Sequence, residues 1–418
     1  LKSTFLETMR WRGFLKETTD IQTLDKELST GRVVAYLGFD ATASSLHVGS
    51  LLQIMLLRHF QKCGHKPIVL IGGGTTKVGD PSGKDASRQL LTQEAIQKNI
   101  DGITSVFSKF LKFGDGDTDA TLVNNDEWLS SLQYLDFLRD YGRHFTINRM
   151  LSFESVKQRL ARESPLSFLE FNYMILQAYD FLELSRRMDV KLQFGGSDQW
   201  GNIVNGVELA RRVDRRQVYG FTAPLLTTSD GKKMGKTADG AVWLNADLLS
   251  PYDYWQFWRN TADADVGRFL RIFTELPKEK IEAMEKLDGA AINEAKAILA
   301  DEATRLLHGE ECLDQIRETA RTLFSTGGDA SDTSALPRIQ ITPDEVAEGV
   351  GVIDLFIRLE LGKSKSEVRR LVTGGGARLN GEKIEDAALV LDAEVFSESD
   401  EVKLSSGKKK HGIVELKR

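Results

Sequence analysis

The sequence predicts an α/β protein with a parallel β-sheet in its first half and a small separate α+β domain at its end. In the first half, short apolar runs alternate with helical patterns, and glycines stand at or just after the ends of several runs. Strands that alternate with helices form parallel sheets, and ligands bind outside the carboxyl ends of such strands. A Gly-, Ser-, Asp- and Thr-rich stretch at 325–337 is typical of a linker and separates the last domain.

The predicted sheet begins with a βαβ unit. A helix at 50–62 lies between strands at 33–39 and 67–71, which favours parallel pairing with a right-handed crossover. Because glycines follow three predicted strands, their backbones should converge on one crevice that a ligand can approach closely. Two more strands are predicted at 122–123 and 190–194, and the glycines are Gly38, Gly72 to Gly74, Gly195 and Gly196.

Helical patterns dominate the segments outside the sheet. Residues 125–165 are rich in aromatic and charged side chains, and the segment from Pro251 to about Phe324 is amphipathic with a break at Pro277. The predicted domains are 1–245 for the α/β domain with a helical insertion at about 125–165, 246–324 for an α-helical domain, 325–344 for the linker and 345–418 for the C-terminal domain.

Length and composition limit the class of protein. A chain of 418 residues with 41% apolar residues is long enough for two or three packed domains and is not disordered. No apolar run approaches the ~20 residues of a membrane helix, so no membrane partner is expected. Cys63 and Cys312 are far apart, which favours a reducing, cytoplasmic compartment and no zinc site. Leu1 in place of Met suggests that the numbering omits a start residue or a leader.

Charge is distributed unevenly along a chain whose net charge is −6. Residues 361–380 hold five basic and one acidic residue (5 − 1 = +4), and residues 402–418 hold six and one (6 − 1 = +5). The intervening residues 381–401 hold eight carboxylates and one lysine. Local basic patches bind phosphates whatever the overall charge, although runs of charge are also commonly solvated faces.

The C-terminal domain combines a basic helix, a glycine run and a hairpin. Ser364 or Ser366 can cap the helix, and Asn380-Gly381 is a strong hairpin signal. The order of these features resembles the small RNA-binding fold named after a protein of the small ribosomal subunit. The residues expected to bind RNA are Lys363, Lys365, Arg369, Arg370 and Arg378.

Two segments far apart in the first half of the chain belong together. His47-Val48-Gly49-Ser50 follows a strand and opens a helix, where free N–H groups and the helix dipole favour phosphate. Lys233-Met234-Gly235-Lys236-Thr237 is a glycine-containing loop with lysines. Alone, His47 would be read as a buried structural histidine and the lysines as surface residues. As a pair, the segments resemble the nucleotide-binding signatures of class I aminoacyl-tRNA synthetases.

The residues between these signatures resemble the bacterial type of tyrosyl-tRNA synthetase over nearly the whole chain. The sequence departs from the family pattern at Ser50, Gly235, Thr237 and Ala41, but none of these removes a charged or catalytic group. The matching segments are Tyr36-Leu37-Gly38-Phe39-Asp40, Gly79-Asp80-Pro81-Ser82-Gly83-Lys84, Phe171-Asn172-Tyr173, Gln177-Ala178-Tyr179-Asp180 and Gln193 through Asn202.

The resemblance implies a Rossmann-like catalytic domain that activates tyrosine with ATP and transfers it to tRNA(Tyr). It also implies that the insertion supplies a homodimer surface. Cations near the phosphates would stabilise the leaving pyrophosphate. On this basis the catalytic residues are His47, Thr42, Lys233 and Lys236; the tyrosine-binding residues are Tyr36, Asp80, Tyr173, Gln177, Asp180 and Gln199; and the ATP-binding residues are Gly38, Asp40, Gly49, Gly196, Asp198 and Lys236.

The tyrosine-binding residues have chemistry that suits their implied roles. Tyr173, Gln177 and Asp180 are spaced i, i+4 and i+7, so they share one helix face, which would otherwise be a solvated face. Asp80 with neutral acceptors suits an ammonium group. Asp180 and Tyr36 would bind the phenol, and a site built around a hydroxyl rejects phenylalanine, as is known for this family.

Two alternatives remain open from the sequence. One is a tryptophan-type class I synthetase, against which Asp180 with Tyr36 argues. The other is an RNA-binding relative without catalysis. The residues that argue against it are His47, Lys233, Lys236 and Asp198. Mg²⁺ is expected to accompany ATP, but no carboxylate cluster names a ligand for it, and no tightly bound cofactor is expected.

Overall fold

The structure is a computed structural model. In it the chain forms two compact units. The first unit comprises Leu1–Thr237, Ala241–Asn245 and Thr261–Glu302, and the second comprises Ala238–Gly240, Ala246–Asn260 and Ala303–Arg418. Side chains at 155, 236, 237 and 321–325 are not described. The residues that the structure describes are 1–82, 90–231, 234–237, 240–325, 336–397, 399–407 and 410–417.

The first unit is built on a six-stranded sheet. Its order is β1-β6-β5-β2-β3-β4, and every pairing is parallel except that of the short edge strand β1 with β6. The predicted parallel sheet is therefore confirmed. The strands are β1 (Glu17–Thr18), β2 (Val34–Asp40), β3 (Lys66–Gly72), β4 (Thr121–Asn124), β5 (Leu192–Gly196) and β6 (Tyr219–Ala223).

Helices cover both faces of this sheet. They are α1 (Thr4–Arg12), α2 (Ile21–Thr30), α3 (Val48–Lys62), α4 (Gly73–Thr76), α5 (Gln93–Phe110), α6 (Asp126–Leu129), α7 (Tyr134–Asp140), α8 (Ile147–Leu151), α9 (Glu154–Ala161), α10 (Phe168–Met188) and α11 (Trp200–Asp214), with 3-10 turns at Gly142–His144 and Ser197–Gln199.

Two sets of aromatic side chains hold these helices to the sheet. Tyr36 on β2 packs edge-on against Phe181 of α10, with ring centroids 5.3 Å apart. Phe60 of α3 packs in the same way on Phe5 of α1 and Phe194 of β5, at 5.0 and 5.2 Å. Edge-to-face pairs add to the stability gained by burying apolar area, so the strands that carry the site are held by packed cores.

Helix α10 has a well-defined start, which matters because it carries three of the predicted site residues. Ser167 accepts a hydrogen bond from the Glu170 amide at 3.2 Å, and the Glu170 carboxylate accepts one from the Ser167 amide at 3.1 Å. This reciprocal capping satisfies two N–H groups that the helix itself cannot pair. The left-handed Asp189 (φ +50°) ends the helix.

In the described part of the chain, the remaining elements before residue 326 are two short strands and five helices. Some of their residues belong to the first unit and others to the second. Ser250 caps α12, and Pro277 precedes α14 at the break that the sequence predicts. The elements are β7 (Lys236–Thr237), β8 (Gly240–Ala241), α12 (Pro251–Arg259), α13 (Asp263–Phe273), α14 (Lys278–Met284), α15 (Ile292–His308) and α16 (Glu311–Ser325), with a 3-10 turn at Gly289–Ala291.

The C-terminal part of the second unit is an α+β fold. Its five-stranded sheet has the order β12-β11-β14-β15-β9, and β9 pairs with β15 in parallel. The elements are β9 (Arg338–Ile341), α17 (Pro343–Glu348), β10 (Val350–Gly351), α18 (Val352–Arg358), α19 (Lys365–Thr373), β11 (Ala377–Leu379), β12 (Glu382–Lys383), β13 (Val390–Leu391), β14 (Glu401–Ser406) and β15 (Lys410–Leu416).

Local signals in the C-terminal fold agree with the sequence analysis. Ser364 is the cap of α19 and accepts from the Glu367 amide at 3.2 Å. Asn380 and Gly381 have positive φ angles of +47° and +88° and join β11 to β12, as a tight hairpin requires. Residues 325–344 are predicted to form a linker, but strand β9 lies within this range. Its backbone pairs with β15, so it is part of the C-terminal sheet. The sheet therefore begins before residue 345, while the domain assignment itself stays a prediction.

Candidate active site

A cleft of about 610 Å³ lies at the carboxyl ends of the central strands of the first unit. Residues from the ends of β2 and β5, the start of α3 and one face of α10 line it. This is where open parallel sheets bind ligands. The predicted site residues that line it are Tyr36, Gly38, Asp40, Thr42, His47, Gly49, Asp80, Tyr173, Gln177, Asp180, Gly196, Asp198 and Gln199.

Other predicted site residues are not placed in this cleft. Lys233 lies outside the described residues, as do Lys232, Gly83 and Lys84 of the quoted motifs. Of Lys236 the structure describes only the backbone, in β7. The contribution of these lysines therefore stays a prediction from the sequence.

The structure brings the two signature segments together. A Cβ atom on Gly235 would lie 2.7 Å from Nδ1 of His47 and 2.8 Å from the amide nitrogen of Gly49. Gly235 also has φ +104°, which side-chain-bearing residues rarely adopt. Val48 donates its amide to the carbonyl of Val242 at 2.9 Å, which holds the chain after the second segment against the first. The close approach explains why glycine occupies position 235 in the loop.

His47 is the cap of α3. Its Nδ1 accepts a hydrogen bond from the Gly49 amide at 2.9 Å, so in the neutral ring the proton is on Nε2, which is then a donor. The side chain therefore has a structural role, because it caps the helix through Nδ1. It also presents a donor, Nε2–H, at a helix N-terminus, where anions bind.

Asp40 at the end of β2 is tied to the helix face that carries Tyr173. The Tyr173 hydroxyl donates to Asp40 Oδ2 at 2.9 Å, and the Thr75 hydroxyl donates to Oδ1 at 2.8 Å. Burial, followed by the charges of Asp40 and Asp80, raises the pKa of Tyr173 well above its ordinary value. Tyr173 therefore remains a neutral phenol that links α10 to the end of β2.

Asp80 lies in a turn that fixes both of its carboxylate oxygens. Oδ1 accepts from the Ser82 amide at 2.8 Å and Oδ2 from Gln199 Nε2 at 2.9 Å. The amide of Asn202 then contacts the oxygens of Gln199 and Gln177 at 3.2 and 2.9 Å. Three groups that the sequence assigned to the substrate head group thus form one hydrogen-bonded cluster.

Asp180 is a buried carboxylate with two neutral donors. Only 2% of the residue is exposed, and it accepts from Asn125 Nδ2 at 2.9 Å and Trp128 Nε1 at 2.7 Å. Burial is the main reason why the pKa of Asp180 is raised to about 7. The two hydrogen bonds lower this pKa, and the charge of Asp40 raises it further.

Tyr36 stands beside Asp180 with a buried hydroxyl. Within the described ranges this hydroxyl has no hydrogen-bond partner. Burial, and then the charge of Asp180, raises the pKa of Tyr36 well above its ordinary value. A buried hydroxyl without a partner is costly, and a ligand hydroxyl that accepts from Tyr36 and donates to Asp180 would satisfy it.

The sequence analysis missed several residues that complete the site. Asn125 and Thr75 follow the ends of β4 and β3, so the strand-end rule could have identified them. Trp128 is on the short helix α6, and no local pattern connects it to Asp180. Asn202 stands within a quoted motif but was given no role.

The predicted RNA-binding residues lie outside this cleft, in the C-terminal fold. Lys363, Lys365, Arg369, Arg370 and Arg378 are all exposed on or next to α19 and β11. Lys365 pairs with Asp354 at 2.7 Å, and Arg378 donates to the Gly381 carbonyl at 2.9 Å. Lys408, Lys409 and Arg418 of the second basic segment lie outside the described residues.

Two general features concern membranes and metals. Within the described ranges, no helix has the length and apolar character needed to cross a membrane. In the same part of the chain, no group of three or more His, Cys, Asp or Glu side chains could hold a metal ion. Cys63 and Cys312 are free thiols.

Comparisons with known proteins agree on one family. The family model described as tRNA synthetases class I (W and Y) matches residues 28–325. The tyrosine–tRNA ligase of Dinoroseobacter shibae is 57% identical over 413 residues, which cover 99% of this chain and 98% of that protein. The tyrosine–tRNA ligase of Caulobacter vibrioides is 58% identical over the same shares.

Solved structures give the same result. A C-terminally truncated mitochondrial tyrosyl-tRNA synthetase from Aspergillus nidulans superposes with a TM-score of 0.70 at 31% identity, over 78% of this chain and 95% of that one. A tyrosyl-tRNA synthetase from Archaeoglobus fulgidus, solved with L-tyrosine, shares the fold with a TM-score of 0.55 at 20% identity. With the cleft at the strand ends and the family match over more than half its length, the chain belongs to the class I tRNA synthetases (W and Y).

Proposed function

We propose that this chain is a tyrosine–tRNA ligase, which activates tyrosine with ATP and transfers it to the 3′ end of tRNA(Tyr). The observation that carries the choice of amino acid is the buried pair of Tyr36 and Asp180 in the cleft. The names of the full-length bacterial relatives support the same assignment.

Tyrosine would bind with its phenol between Tyr36 and Asp180. The phenol oxygen accepts from the Tyr36 hydroxyl, and its proton is donated to the Asp180 carboxylate, which is held in place by Asn125 and Trp128. Phenylalanine offers neither bond and leaves both buried groups unsatisfied, which disfavours its binding. Asp80, Tyr173 and Gln177 would bind the ammonium group, and Gln199 the carboxylate.

ATP would bind at the start of α3 and the end of β5. Gly38, Asp40, Gly49, Gly196 and Asp198 are the proposed nucleotide contacts, with Asp198 accepting from a ribose hydroxyl. Glycine is required at one of these positions, since a Cβ on Gly49 would lie 2.6 Å from Cε1 of His47 and 3.1 Å from the carbonyl of Met234. The close packing of His47 and of the loop at Met234 against this backbone therefore requires glycine at position 49.

Activation is a displacement at phosphorus. The tyrosine carboxylate oxygen attacks the α-phosphate, the bond to the β-phosphate oxygen breaks, and pyrophosphate leaves with the electron pair. His47, Thr42, Lys233 and Lys236 are proposed to stabilise the negative charge that builds up on the leaving group. The terminal ribose hydroxyl of tRNA then attacks the carbonyl of tyrosyl-adenylate, loses its proton, and AMP leaves.

Mg²⁺ is proposed to enter with ATP. Protein sites commonly hold this ion with one or two carboxylates together with substrate phosphates. The cleft lining contains aspartate carboxylates, which fit that mode. Bound there, the ion would neutralise phosphate charge.

The C-terminal fold is proposed to bind tRNA through the exposed basic residues on α19 and β11. The helical insertion at about 125–165 is proposed to form a homodimer interface, because exposed large apolar side chains lie in it and directly after it, such as Leu135 (77%), Tyr134 (62%) and Phe168 (68%). Sedimentation of the protein should then give twice the chain mass of 46.7 kDa.

A cytoplasmic location stays a proposal that rests on the two widely spaced cysteines.

Pyrophosphate exchange tests the proposed activity directly. The purified chain should exchange pyrophosphate into ATP in the presence of tyrosine, and far less with tryptophan or phenylalanine. Preference for tryptophan would identify a tryptophan-type enzyme instead. Absence of exchange with all three, together with tRNA binding, would identify a relative that has lost catalysis.

A further inference from the structure

Asn202 occupies a central place in the candidate site, although neither charge nor known chemistry draws attention to it. It lies in the first turn of α11 and is 7% exposed. Its single amide nitrogen contacts the oxygens of two glutamines, Gln177 at 2.9 Å and Gln199 at 3.2 Å. These glutamines come from different elements, α10 and the 3-10 turn before α11.

The direction of every amide in this cluster follows from Asp80. An ionised carboxylate only accepts hydrogen bonds, so the group of Gln199 that faces it at 2.9 Å is the NH₂. The other end of Gln199, which faces Asn202, is then the carbonyl oxygen. Asn202 must present its NH₂ to that oxygen, and the same NH₂ faces Gln177, whose near atom is therefore also an oxygen.

The orientation matters because the two ends of an amide have opposite polarity. A carbonyl oxygen has two acceptor sites, so Gln177 can accept from Asn202 and from a substrate ammonium at once. Gln199 has a second N–H, which can donate to a substrate carboxylate. Reversal of either amide would present a donor to the ammonium or an acceptor to the carboxylate, and both contacts would be repulsive.

We propose that Asn202 is a positioning residue that relays to Gln177 the amide direction that Asp80 sets at Gln199, and so keeps both glutamines oriented for the α-amino and α-carboxylate groups of tyrosine. This inference rests on the proposed function, since it assigns those two glutamines to the tyrosine head group. Asn202 acts on tyrosine only through the two glutamines. What it supplies is one NH₂ group whose two hydrogens are donated to the two glutamine oxygens.

Two substitutions at this position separate positioning from packing. Asn202→Asp preserves size but replaces the donor by an acceptor, so Gln177 is driven to reverse, and the carbonyl oxygen of Gln199 loses its donor and faces a second carboxylate. Asn202→Ala removes the donor without opposing the glutamines. Positioning predicts that the KM for tyrosine rises most in Asn202→Asp, by about 10-fold or more, and less in Asn202→Ala, because an opposed hydrogen bond costs more than a missing one. The KM for ATP should stay within about twofold of the wild-type value in both.

A purely structural role predicts the opposite order. The equal-sized aspartate would then be the milder change, and alanine would be worse because it leaves a cavity. Exchange kinetics with thermal unfolding as a folding check decide between them. A tyrosine KM that is raised more by alanine than by aspartate, or a KM for ATP that rises equally, would overturn the proposal.

A double-mutant cycle keeps the test decisive if Asn202→Asp does not fold. Asn202→Ala and Gln177→Ala should have strongly non-additive effects on the KM for tyrosine, since they act through one contact. Additive effects would contradict the proposal. If the wild-type chain shows no exchange with tyrosine, the proposed function fails first and the inference falls with it. Normal wild-type exchange with the wrong order of variants removes only the role of Asn202.

Discussion

Asp180 is the residue at which amino-acid selectivity should be most sensitive to substitution. Asp180→Asn replaces a buried charged acceptor by a neutral amide at the position proposed for the phenol. We expect the preference for tyrosine over phenylalanine to fall by about 10-fold or more, since hydrogen bonds to charged groups are among the strongest. Exchange kinetics with both amino acids measure this preference.

Asn125→Ala provides a matched comparison, because it removes one of the two donors to Asp180 and leaves the carboxylate itself. The preference should fall less than in Asp180→Asn. An unchanged ratio of tyrosine to phenylalanine in Asp180→Asn would remove Asp180 from the specificity pocket.

The same carboxylate should influence how stability depends on pH. Its folded pKa of about 7 exceeds its ordinary value of 3.8, so between these pH values the folded state holds a proton that the unfolded state releases. The contribution of Asp180 to the free energy of unfolding is therefore present at low pH and falls as pH rises toward 7. Asp180→Asn removes this loss, so the variant should gain stability relative to wild type between pH 5 and pH 8.

Urea unfolding of both proteins at pH 5 and pH 8 measures the effect. The difference in free energy of unfolding between variant and wild type should increase by at least about 1 kcal/mol, since one pKa unit corresponds to ~1.4 kcal/mol. A difference that does not change with pH would show that Asp180 titrates normally.

At the scale of elements, the N-terminus of α3 is where capping and catalysis overlap. His47 caps the helix through Nδ1 and is proposed to contact the leaving phosphates. His47→Ala should lower the rate of tyrosyl-adenylate formation by about 100-fold, as loss of a transition-state donor commonly does, with the KM for tyrosine nearly unchanged. Single-turnover measurements separate the two quantities.

His47→Asn is the control for capping, because asparagine is a good helix cap but lacks the imidazole donor. It should be as slow as His47→Ala while unfolding at a higher temperature. Recovery of the wild-type rate in His47→Asn would show that His47 serves only as a cap.

The start of α10 depends on a buried ion pair. Arg159 and Glu170 are only 2% and 3% exposed, with their charged atoms 3.4 Å apart, and Glu170 also completes the helix cap with Ser167. Glu170→Ala should destabilise the protein by about 3–5 kcal/mol, because it removes the carboxylate that faces a buried arginine charge. The exposed Glu154→Ala should change stability by less than about 0.5 kcal/mol. Urea unfolding of both variants provides the measurement, and equal effects would contradict the buried pair.

At the scale of the whole molecule, the two half-reactions should be separable. Every proposed activation residue lies before Thr237, whereas the proposed tRNA contacts lie after residue 360. Removal of residues 336–418 should therefore leave tyrosine-dependent pyrophosphate exchange intact and strongly reduce aminoacylation of tRNA. The cut precedes β9, because that strand belongs to the C-terminal sheet.

Salt dependence identifies the cause of that loss. Binding of tRNA by the full chain should weaken with increasing salt, because phosphate contacts release counterions, and the truncated chain should show a smaller slope. Exchange and aminoacylation measured on both proteins at two salt concentrations give the answer. Equal aminoacylation by the truncated protein would show that the basic residues of the C-terminal fold do not hold tRNA.

Local patterns predicted much of the fold and many of the cleft residues. Apolar runs with glycines at their ends identified β2, β3 and β5, and strand-end geometry then placed Gly38, Gly72 and Gly196 at one cleft. Helical spacing put Tyr173, Gln177 and Asp180 on one face of α10, and all three line the cleft. Strand β9 was not predicted, because a four-residue strand paired only with distant residues has no local signature.

The sequence by itself determined the alternation of strands and helices, the signature segments and the types of residue at the site, because these depend on short-range spacing and side-chain chemistry. Only the tertiary structure decided how the groups act on one another. Burial and the donors Asn125 and Trp128 determine the charge state of Asp180. Asp80 determines the amide directions of Gln199, Asn202 and Gln177 in turn. Such properties depend on solvent exclusion and on contacts between residues that are far apart in the chain, and local sequence does not encode them.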